Sequence, residues 1–185
     1  MAIRLADVAD IPQILKIYGP YVENTAYSFE YTVPTAEAFT RRFQEITRQF
    51  PWLVWEENGT ILGYAYGSAP FTRAAFGWCA EASVYLAPEA RRKGIGRELY
   101  ARLEQLLRQQ GYQKVYALVT SENTGSVAFH EAVGYTQTAV LPECGWKFDR
   151  WHGLIWMEKS LNSVKIPKLP PVPFGSIRKN NKNFG

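Results

Sequence analysis

The sequence predicts an α/β fold in which a mixed central β-sheet of about seven strands is flanked by about four helices. Strand-like and helix-like segments follow one another in the order β-α-α-β-β-β-α-β-α-β-β, which is typical of a layered sandwich. The segment 114–120 is almost continuously apolar, as expected of a central strand that is buried on both faces. With 185 residues, of which 46% are hydrophobic, the chain is long enough for one well-filled core.

The first half of the chain predicts a strand, two helices and a hairpin. After a short strand near residue 5, Asp7 or Asp10 can cap a helix whose apolar residues recur at helical spacing: Ile11, Ile14, Leu15 and Tyr18. Thr35 begins a second helix, whose apolar side consists of Phe39, Phe43, Ile46 and Phe50. Strands at 52–55 and 61–67 are joined at Asn58-Gly59, because both positions tolerate positive φ.

The second half predicts four strands and two helices around a glycine-bearing loop. A loop at 68–79, rich in Phe, Ala and Gly, leads to a strand at 81–86. A helix then runs to about Gln110, where Gly111 ends it, and the strand at 114–120 follows. A short helix at 124–133 closes at Gly134, and two aromatic-rich strands come last, near 135–141 and 151–161.

Charge divides the chain into a predicted domain at 1–162 and a basic, Pro/Asn-rich tail at 163–185. The tail holds five Lys and Arg residues, four prolines and no acidic residue, which predicts an extended, weakly structured segment. The domain alone is close to neutral, so the pI of about 9.0 reflects the tail. Because binding of nucleic acid needs a basic face on a folded element, we expect no nucleic-acid partner.

Several other classes of protein are not expected. No run of residues is apolar over the length that spans a membrane, and the first residues lack the basic-then-apolar layout of a secretory signal. We therefore expect no membrane partner and a cytoplasmic location. The cysteines, Cys79 and Cys144, and the histidines, His130 and His152, predict neither a disulfide framework nor a metal site.

The segment Arg91-Arg92-Lys93-Gly94-Ile95-Gly96 predicts an anion site. It joins a strand to a helix N-terminus, where unpaired amides and the helix dipole favour negative charge. Gly94 and Gly96 have no Cβ, so a pyrophosphate can approach the backbone, and positive charge comes from Arg91, Arg92, Lys93 and Arg97. The residues that complete a Walker loop or a dinucleotide fingerprint are absent. By itself the segment is equally consistent with an ordinary tight turn that carries surface charge.

With its surroundings, Arg91-x-x-Gly94-x-Gly96 resembles the Arg/Gln-x-x-Gly-x-Gly/Ala motif of the GNAT acetyltransferase superfamily. As in that family, it follows a strand that ends in Tyr85-Leu86-Ala87-Pro88. Further similarities, in the family's order over residues 3–160, are Ile3-Arg4-x-Ala6-x-x-x-Asp10-Ile11-x-x-Ile14, Asn123, Ser126 and Gly134-Tyr135. The resemblance implies an acetyl-CoA-dependent N-acetyltransferase.

The same resemblance implies where acetyl-CoA binds. The backbone amides from Arg92 to Arg97, Ile95 included, would hold the CoA pyrophosphate. The strand residues Val84, Tyr85 and Leu86 would lie beside the pantetheine arm, with the backbone of Val84 and Leu86 pairing to it like an added strand. Asn123 would contact the same arm, and Asn123, Ser126 and His130 share one face of a helix. The alternative for Asn123 is a helix cap.

Two residues are candidates for the chemistry, Glu81 as general base and His130 as general acid. Acetyl transfer to an amine needs removal of the ammonium proton and a proton, or tolerance of charge, for the leaving thiolate. Glu81 is an isolated carboxylate in an apolar segment, where burial would raise its pKa; the alternative is a solvated glutamate at a strand edge. His130 precedes Gly134 by four residues, where many family members carry a Tyr that protonates the thiolate. The alternative is a histidine with a capping or surface role.

Within the superfamily, the chain resembles the phosphinothricin and methionine sulfoximine N-acetyltransferases. The segments behind this are Ser28-Phe29-Glu30-Tyr31, Glu81-x-Ser83-Val84-Tyr85, His130-Glu131-Ala132-x-Gly134-Tyr135 and Lys147-Phe148-x-Arg150-Trp151-His152. The chain departs from that subfamily at Gly153, where an Asp is usual.

The subfamily resemblance implies a small amino-acid-like acceptor that is acetylated on its α-amine. Phe29 and Glu30 would line the acceptor pocket, and Lys147 would hold the phosphinyl or sulfoximine end. Arg73, the one charged residue in its loop, suits bidentate binding of the acceptor carboxylate. The alternative for Arg73 is a solvated loop arginine.

Other functions stay open at this point. The acceptor can be a peptide N-terminus or another small amine, or the chain can bind CoA without catalysis, although the presence of both Glu81 and His130 argues against the latter. The basic tail can bind nucleic acid or protein. The family resemblance also implies a homodimer, for which Trp146, Trp151 and Trp156 in the last strands offer a surface.

Overall fold

The computed structural model describes residues 2–162 and 169–180, with side chains up to residue 177. The strands are β1 (Ala2–Leu5), β2 (Trp52–Glu57), β3 (Thr60–Ser68), β4 (Cys79–Leu86), β5 (Lys114–Thr120), β6 (Thr136–Lys147) and β7 (Arg150–Ser160). The helices are α1 (Ile11–Asn24), α2 (Ala36–Thr47), α3 (Ile95–Gln110), α4 (Thr124–Ala132) and α5 (Phe174–Asn180). Among the described helices, none is long and apolar enough to cross a lipid bilayer.

All seven strands form one sheet, in the order β1-β2-β3-β4-β5-β7-β6. Every neighbouring pair is antiparallel except β4 and β5, which run parallel because α3 carries the chain back between them. The predicted α/β fold with a mixed sheet of about seven strands is therefore confirmed, with one more helix than expected among the described residues.

Hydrophobic core lies on both faces of the sheet, and β3 shows why. Tyr64 and Tyr66 point towards α1 and α2, where Tyr66 stacks on Trp52 with ring centroids 4.1 Å apart. The alternate residues of β3 face α3, and a Cβ added to Gly67 would lie 3.2 Å from Leu107 in that helix. Small residues on this side therefore let α3 lie close to the sheet. This packing fixes the position of α3 relative to the predicted anion site at residues 91–96, which is called the anion loop below.

Residues 169–180 differ from the extended tail that the sequence predicts. The Val172 amide donates to the Gln110 carbonyl at 2.9 Å, and Gln110 Nε2 donates back to the Val172 carbonyl at 2.8 Å. Phe174 begins α5 and is buried, with 5% of its surface exposed. Composition indicates a solvated segment, but it does not show that one aromatic side chain and two backbone groups find partners near α3. The rest of the tail lies outside the described residues, and the domain boundary at residue 162 stays a prediction.

The hairpin of β6 and β7 is longer than the sequence predicts. Register shifts after Gln137 and after Leu141 let β6 continue to Lys147 rather than end near residue 141. Nearly all side chains of β6 are exposed, so the strand lacks the alternation of buried and exposed residues that marks a strand in a sequence.

Candidate active site

The candidate active site is a cleft between β4 and β5. The two strands pair with each other only over Cys79–Glu81 and Lys114–Tyr116. Both continue beyond that point without pairing to each other. They therefore separate at their carboxyl ends, where open α/β sheets bind ligands. The side chains that line the cleft beside the two strands are Tyr21, Tyr27, Tyr100, Asn123, Ser126 and His130.

The edge of β4 that faces β5 offers backbone hydrogen-bonding groups. The Ala87 amide donates to the Leu62 carbonyl of β3 at 2.9 Å, so the alternate residues Ala82, Val84 and Leu86 turn their amides and carbonyls towards β5. Within the described residues, no strand pairs with Val84 on that side. An extended ligand in the cleft can therefore pair with Val84 as an added strand.

Leu86 is not open in the same way. The Tyr21 hydroxyl donates to the Leu86 carbonyl at 2.7 Å and accepts from the Leu86 amide at 3.3 Å. Arg91 donates to the same hydroxyl at 3.2 Å, with its guanidinium 5.4 Å from the Tyr21 ring centroid. The expected pairing of Leu86 with the pantetheine arm disagrees with this geometry, because Tyr21 already satisfies both backbone groups.

The loop between β4 and α3 presents amides and positive charge. Gly94 and Arg92 adopt φ values of 82° and 60°, which turn the chain sharply into the helix. The Glu98 amide is the first that bonds back within α3, to the Gly94 carbonyl at 3.2 Å, so the preceding helical amides point out of the ladder. The side chains of Arg91, Arg92, Lys93 and Arg97 are exposed around them. This arrangement suits a diphosphate.

The two glycines of this loop have different surroundings. A Cβ added to Gly94 would meet nothing within 4 Å, so this residue faces open space. A Cβ added to Gly96 would lie 3.4 Å from the Phe129 ring and 3.5 Å from Leu86. Gly94 thus leaves the open space that close approach of a pyrophosphate needs, whereas Gly96 lets α3 pack against α4.

Asn123 combines the two roles that its sequence position left open. Its side-chain oxygen accepts from the Ser126 amide at 3.1 Å, which caps α4. Both residues also line the cleft. The cap uses the oxygen of the side-chain amide, and the NH₂ group is the part that can donate to a ligand.

Glu81 stands where β4 and β5 separate. It occupies the last paired position of β4, opposite Tyr116. Its side chain is half-buried and lies on the same strand face as Ser83 and Tyr85. Burial raises the pKa of Glu81 from 4.5 to about 7. A carboxyl with that pKa can accept a proton from a bound ammonium near neutral pH.

His130 lies deep in the cleft, with 3% of its surface exposed. Its Nδ1 lies 2.7 Å from the Ser126 carbonyl, which can only accept, so Nδ1 carries a proton. Its Nε2 lies 3.0 Å from the Tyr100 hydroxyl, which itself donates to the Ala82 carbonyl at 2.9 Å. Burial lowers the pKa of His130 more than the Ser126 hydrogen bond raises it, so the neutral ring predominates at pH 7.

Arg73 is exposed on the loop before β4. It precedes a short turn at Ala74–Phe76, and within the described residues its guanidinium has no hydrogen bond or ion pair. The loop is anchored by Phe71, whose ring stacks on Trp156 with centroids 5.4 Å apart. Phe71 also contacts the ring of Tyr116, the residue opposite Glu81. Phe71 therefore lies on the side of the sheet where Glu81 points, and Arg73 follows it by two residues.

Phe29 and Glu30 lie in the segment that follows α1. Phe29 is partly exposed and packs over Gly145, where an added Cβ would lie 2.5 Å from its ring. The Glu30 carboxylate forms an ion pair with Arg42 and accepts from the Tyr18 hydroxyl at 3.1 Å. Glu30 therefore ties this segment to α1 and α2, and its place in the acceptor pocket stays a prediction.

The structure also corrects the expected role of Lys147. Its ammonium donates to the carbonyls of Val22, Thr25 and Ser28 at 2.6, 2.9 and 2.7 Å. An ammonium has three donors, and all three are used. With 2% of its surface exposed, Lys147 has neither the access nor a donor for a phosphinyl or sulfoximine oxygen.

Comparison with known proteins decides the family. Residues 3–156 match a model described as an acetyltransferase (GNAT) domain. The chain belongs to the GNAT acetyltransferase family. The acetyl-CoA-dependent N-acetyltransferase activity expected from the sequence is thereby confirmed at the level of the family.

Three relatives of this GNAT chain are similar over most of its length. The L-methionine sulfoximine/L-methionine sulfone acetyltransferase of Salmonella typhimurium is 36% identical, over 90% of this chain and 98% of that protein. The phosphinothricin acetyltransferase of Sinorhizobium meliloti, solved with AcCoA, has a TM-score of 0.85 at 32% identity and covers 92% of both chains. The ribosomal-protein-alanine N-acetyltransferase of Brucella melitensis has a TM-score of 0.84 at 35% identity, over 86% and 99% of the chains. The resemblance to the phosphinothricin and methionine sulfoximine enzymes is confirmed.

Three tyrosines that line the cleft of this GNAT acetyltransferase were not predicted from the sequence. Tyr21 lies on α1, Tyr27 follows that helix, and Tyr100 lies on α3. Tyr21 stands three residues after Tyr18, so the spacing of two tyrosines on one helix face was a signal of hydroxyl groups at the sheet. For Tyr27 and Tyr100 the sequence carries no such signal.

Proposed function

We propose that this GNAT acetyltransferase transfers the acetyl group of acetyl-CoA to the α-amine of a small amino-acid-like acceptor, such as phosphinothricin or methionine sulfoximine. The observation that carries the proposal is Glu81, a half-buried carboxyl with a pKa of about 7 at the point where β4 and β5 open into the cleft. The names of the relatives supply the acceptor class.

The cleft and its loop suit acetyl-CoA as the donor. The amides before Glu98 and the exposed cations around them match a diphosphate, and the unpaired edge at Val84 matches the amide groups of an extended arm. Bound acetyl-CoA supplies an activated thioester, and the remaining steps fall to side chains of the protein.

Glu81 acts as the general base in this proposal. Its carboxylate accepts a proton from the ammonium of the acceptor, directly or through one water, and the free amine can then attack the thioester carbonyl. The candidate acid for the leaving thiolate is His130. Its Nε2 proton would move to the Tyr100 hydroxyl, 3.0 Å away, as that hydroxyl turns its own proton from the Ala82 carbonyl to the thiolate. Since burial lowers the pKa of His130, this role draws on the minor protonated form of the ring.

An activity screen tests the proposal. The protein is incubated with acetyl-CoA and a panel of free amino acids, phosphinothricin, methionine sulfoximine, methionine sulfone and a neutral amine, and release of the CoA thiol is followed. We expect turnover of an acceptor that carries both an α-amine and a carboxylate. Equal turnover of the neutral amine and methionine sulfoximine would contradict an amino-acid acceptor.

We expect Arg73→Ala to raise the KM for the acceptor by about 10- to 100-fold, because charged hydrogen bonds contribute about 1.5–3 kcal/mol. The KM for acetyl-CoA should change little, since Arg73 lies on the loop before β4 and away from the anion loop. Arg41→Ala is the matched control, because Arg41 forms an exposed ion pair with Glu37 on α2. An unchanged acceptor KM in Arg73→Ala would place the carboxylate on another residue.

A peptide N-terminus is the second candidate acceptor. It is favoured by the similarity to the ribosomal-protein-alanine N-acetyltransferase of Brucella melitensis, at 35% identity. A short peptide that begins with alanine, added to the same panel, separates the two. Faster turnover of the peptide than of every free amino acid would favour this alternative.

We propose in addition that the protein is a homodimer. Exposed apolar side chains cluster along the β6–β7 hairpin, and they are Val140, Leu141, Trp146, Phe148 and Trp151. Exposed apolar side chains that concentrate on one hairpin are typical of a protein interface. Sedimentation velocity should give the mass of a dimer, and a monomer at micromolar concentration would contradict the proposal.

A further inference from the structure

The segment 22–28, which joins the end of α1 to Phe29, is held through its backbone carbonyls. Lys147 donates to three of them, those of Val22, Thr25 and Ser28. The Thr120 hydroxyl donates to a fourth, the Ala26 carbonyl, at 2.6 Å. All of these contacts are between residues more than 90 positions apart, so they fix where the segment lies on the sheet.

Both donors lie at the ends of strands of the central sheet. Thr120 is the last residue of β5, and Lys147 is the last residue of β6. Tyr27, between two of the bound carbonyls, lines the cleft together with Thr120, Asn123 and Ser126. The carbonyl contacts therefore place one aromatic side chain of the segment inside the cleft.

Lys147 is itself held from the side of the cofactor. The His152 ring is buried, with 1% of its surface exposed, and its Nε2 donates to the Lys147 carbonyl at 2.9 Å. Its Nδ1 lies 2.9 Å from a carboxylate oxygen of Glu122, in the turn before α4. Asn123, the next residue, caps α4 and lines the cleft. One chain of contacts thus connects the cofactor side of the cleft with the segment 22–28.

Phe29 makes a second contact with the same strand pair. Its ring lies over Gly145, where any Cβ would clash with it, and its centroid is 6.3 Å from that of His152. Gly145 and His152 are opposite each other in β6 and β7. Phe29 is therefore positioned by the same hairpin end that carries Lys147.

We infer that Lys147 and Thr120 are positioning residues, which hold the segment 22–28 against the cleft mouth and so determine the affinity for the acceptor. The inference rests on the proposed function, since it assigns Phe29 to the acceptor side of that reaction and Tyr27 to the part of the cleft where the acceptor meets the donor. Neither Lys147 nor Thr120 touches the acceptor: they act through the backbone carbonyls that they bind. His152, on the neighbouring strand β7, and Glu122, in the turn before α4, orient Lys147.

Lys147→Met tests the inference, because methionine keeps an unbranched side chain but has no N–H donor. We expect the acceptor KM to rise about tenfold or more and amide hydrogen exchange in residues 22–30 to speed up. The KM for acetyl-CoA should rise less, because Tyr27 is the part of the segment that lines the cleft beside Asn123. Lys114→Met is the matched control, because Lys114 donates to Glu158 at 2.7 Å at the opposite end of β5. The control should change none of these quantities.

The hydrogen-exchange measurement needs no acceptor, so it separates the two proposals. If the wild-type protein acetylates no member of the panel, the proposed function fails, while the exchange rates still show whether Lys147 holds the segment. An acceptor KM and an exchange rate equal to those of Lys114→Met would overturn the inference.

A second variant keeps the inference testable if Lys147→Met does not fold. Thr120→Val removes a single hydroxyl donor, the one on the Ala26 carbonyl, and keeps a branched side chain of similar shape. We expect a smaller rise in the acceptor KM, several-fold, together with faster exchange at residues 25–28. Unchanged values of both quantities in a folded Thr120→Val variant would contradict the positioning role.

Discussion

Glu81→Gln is expected to lower kcat by about two to four orders of magnitude, because a positioned general base contributes about 10²–10⁴-fold. Glutamine keeps the size of the side chain at the opening of β4 and β5 but cannot accept the ammonium proton. The KM for acetyl-CoA should stay near the wild-type value, since the anion loop and the edge at Val84 are untouched. Initial rates of thiol release at saturating acceptor measure the effect.

The pH dependence of the rate connects this loss to one carboxyl group. Since burial raises the pKa of Glu81 to about 7, the wild-type kcat/KM should rise with pH through about 7, and Glu81→Gln should lose that rise. Glu57→Gln is the control, because Glu57 is a half-buried carboxylate on β2 that accepts from Trp55 at 2.9 Å. A rise with the same midpoint in Glu81→Gln would assign the base to another group.

Stability gives an independent check on the same variant. The folded-state pKa of Glu81 lies above the ordinary value of 4.5, so the folded protein binds this proton more tightly than the unfolded chain. Ionisation of Glu81 therefore removes stability as the pH rises from 4.5 through about 7. Thermal unfolding should show a Tm gain from Glu81→Gln that is larger at about pH 8 than at about pH 5.

The fold was predictable because most of its elements carry signals in neighbouring residues. The spacing of Ile11, Ile14 and Tyr18 and the turn at Asn58-Gly59 depend only on local sequence. The length of β6 and the position of Phe174 depend instead on partners far along the chain, and no local pattern records them.

The residues proposed for the donor and those proposed for the acceptor also differ in how far their signals are local in the sequence. Residues 91–97 form one continuous run of loop and first helical turn, so a motif can describe them. Lys147 binds a carbonyl 125 residues away, and the backbone has the same chemistry at every position, so the sequence cannot show which carbonyls a buried lysine reaches. The expectation for Lys147 therefore named the wrong partner.

Gly94→Val is expected to raise the KM for acetyl-CoA by about 10- to 100-fold, equivalent to about 1.4–2.8 kcal/mol of donor binding. Gly94 has a φ of 82° and an added Cβ would meet nothing within 4 Å, so the protein itself leaves room for a side chain. We expect the diphosphate to occupy this space. A valine side chain there would keep the diphosphate away from the backbone amides at the start of α3. It would also strain the backbone that orients those amides, because a φ of 82° is unfavourable for valine. The acceptor KM should change little, because Gly94 follows the end of β4, whereas the proposed acceptor lies near Glu81 at the start of that strand.

Gly59→Val separates the obstruction of the diphosphate from the backbone strain. Gly59 has a φ of 79° in the β2–β3 hairpin, and an added Cβ would also meet nothing within 4 Å. The two substitutions therefore impose a similar conformational strain, but only Gly94 lies at the anion loop. Equal increases in the acetyl-CoA KM for both variants would show that the loss comes from general destabilisation. A selective increase for Gly94→Val, with a similar fall in Tm for the two proteins, assigns the diphosphate to this loop.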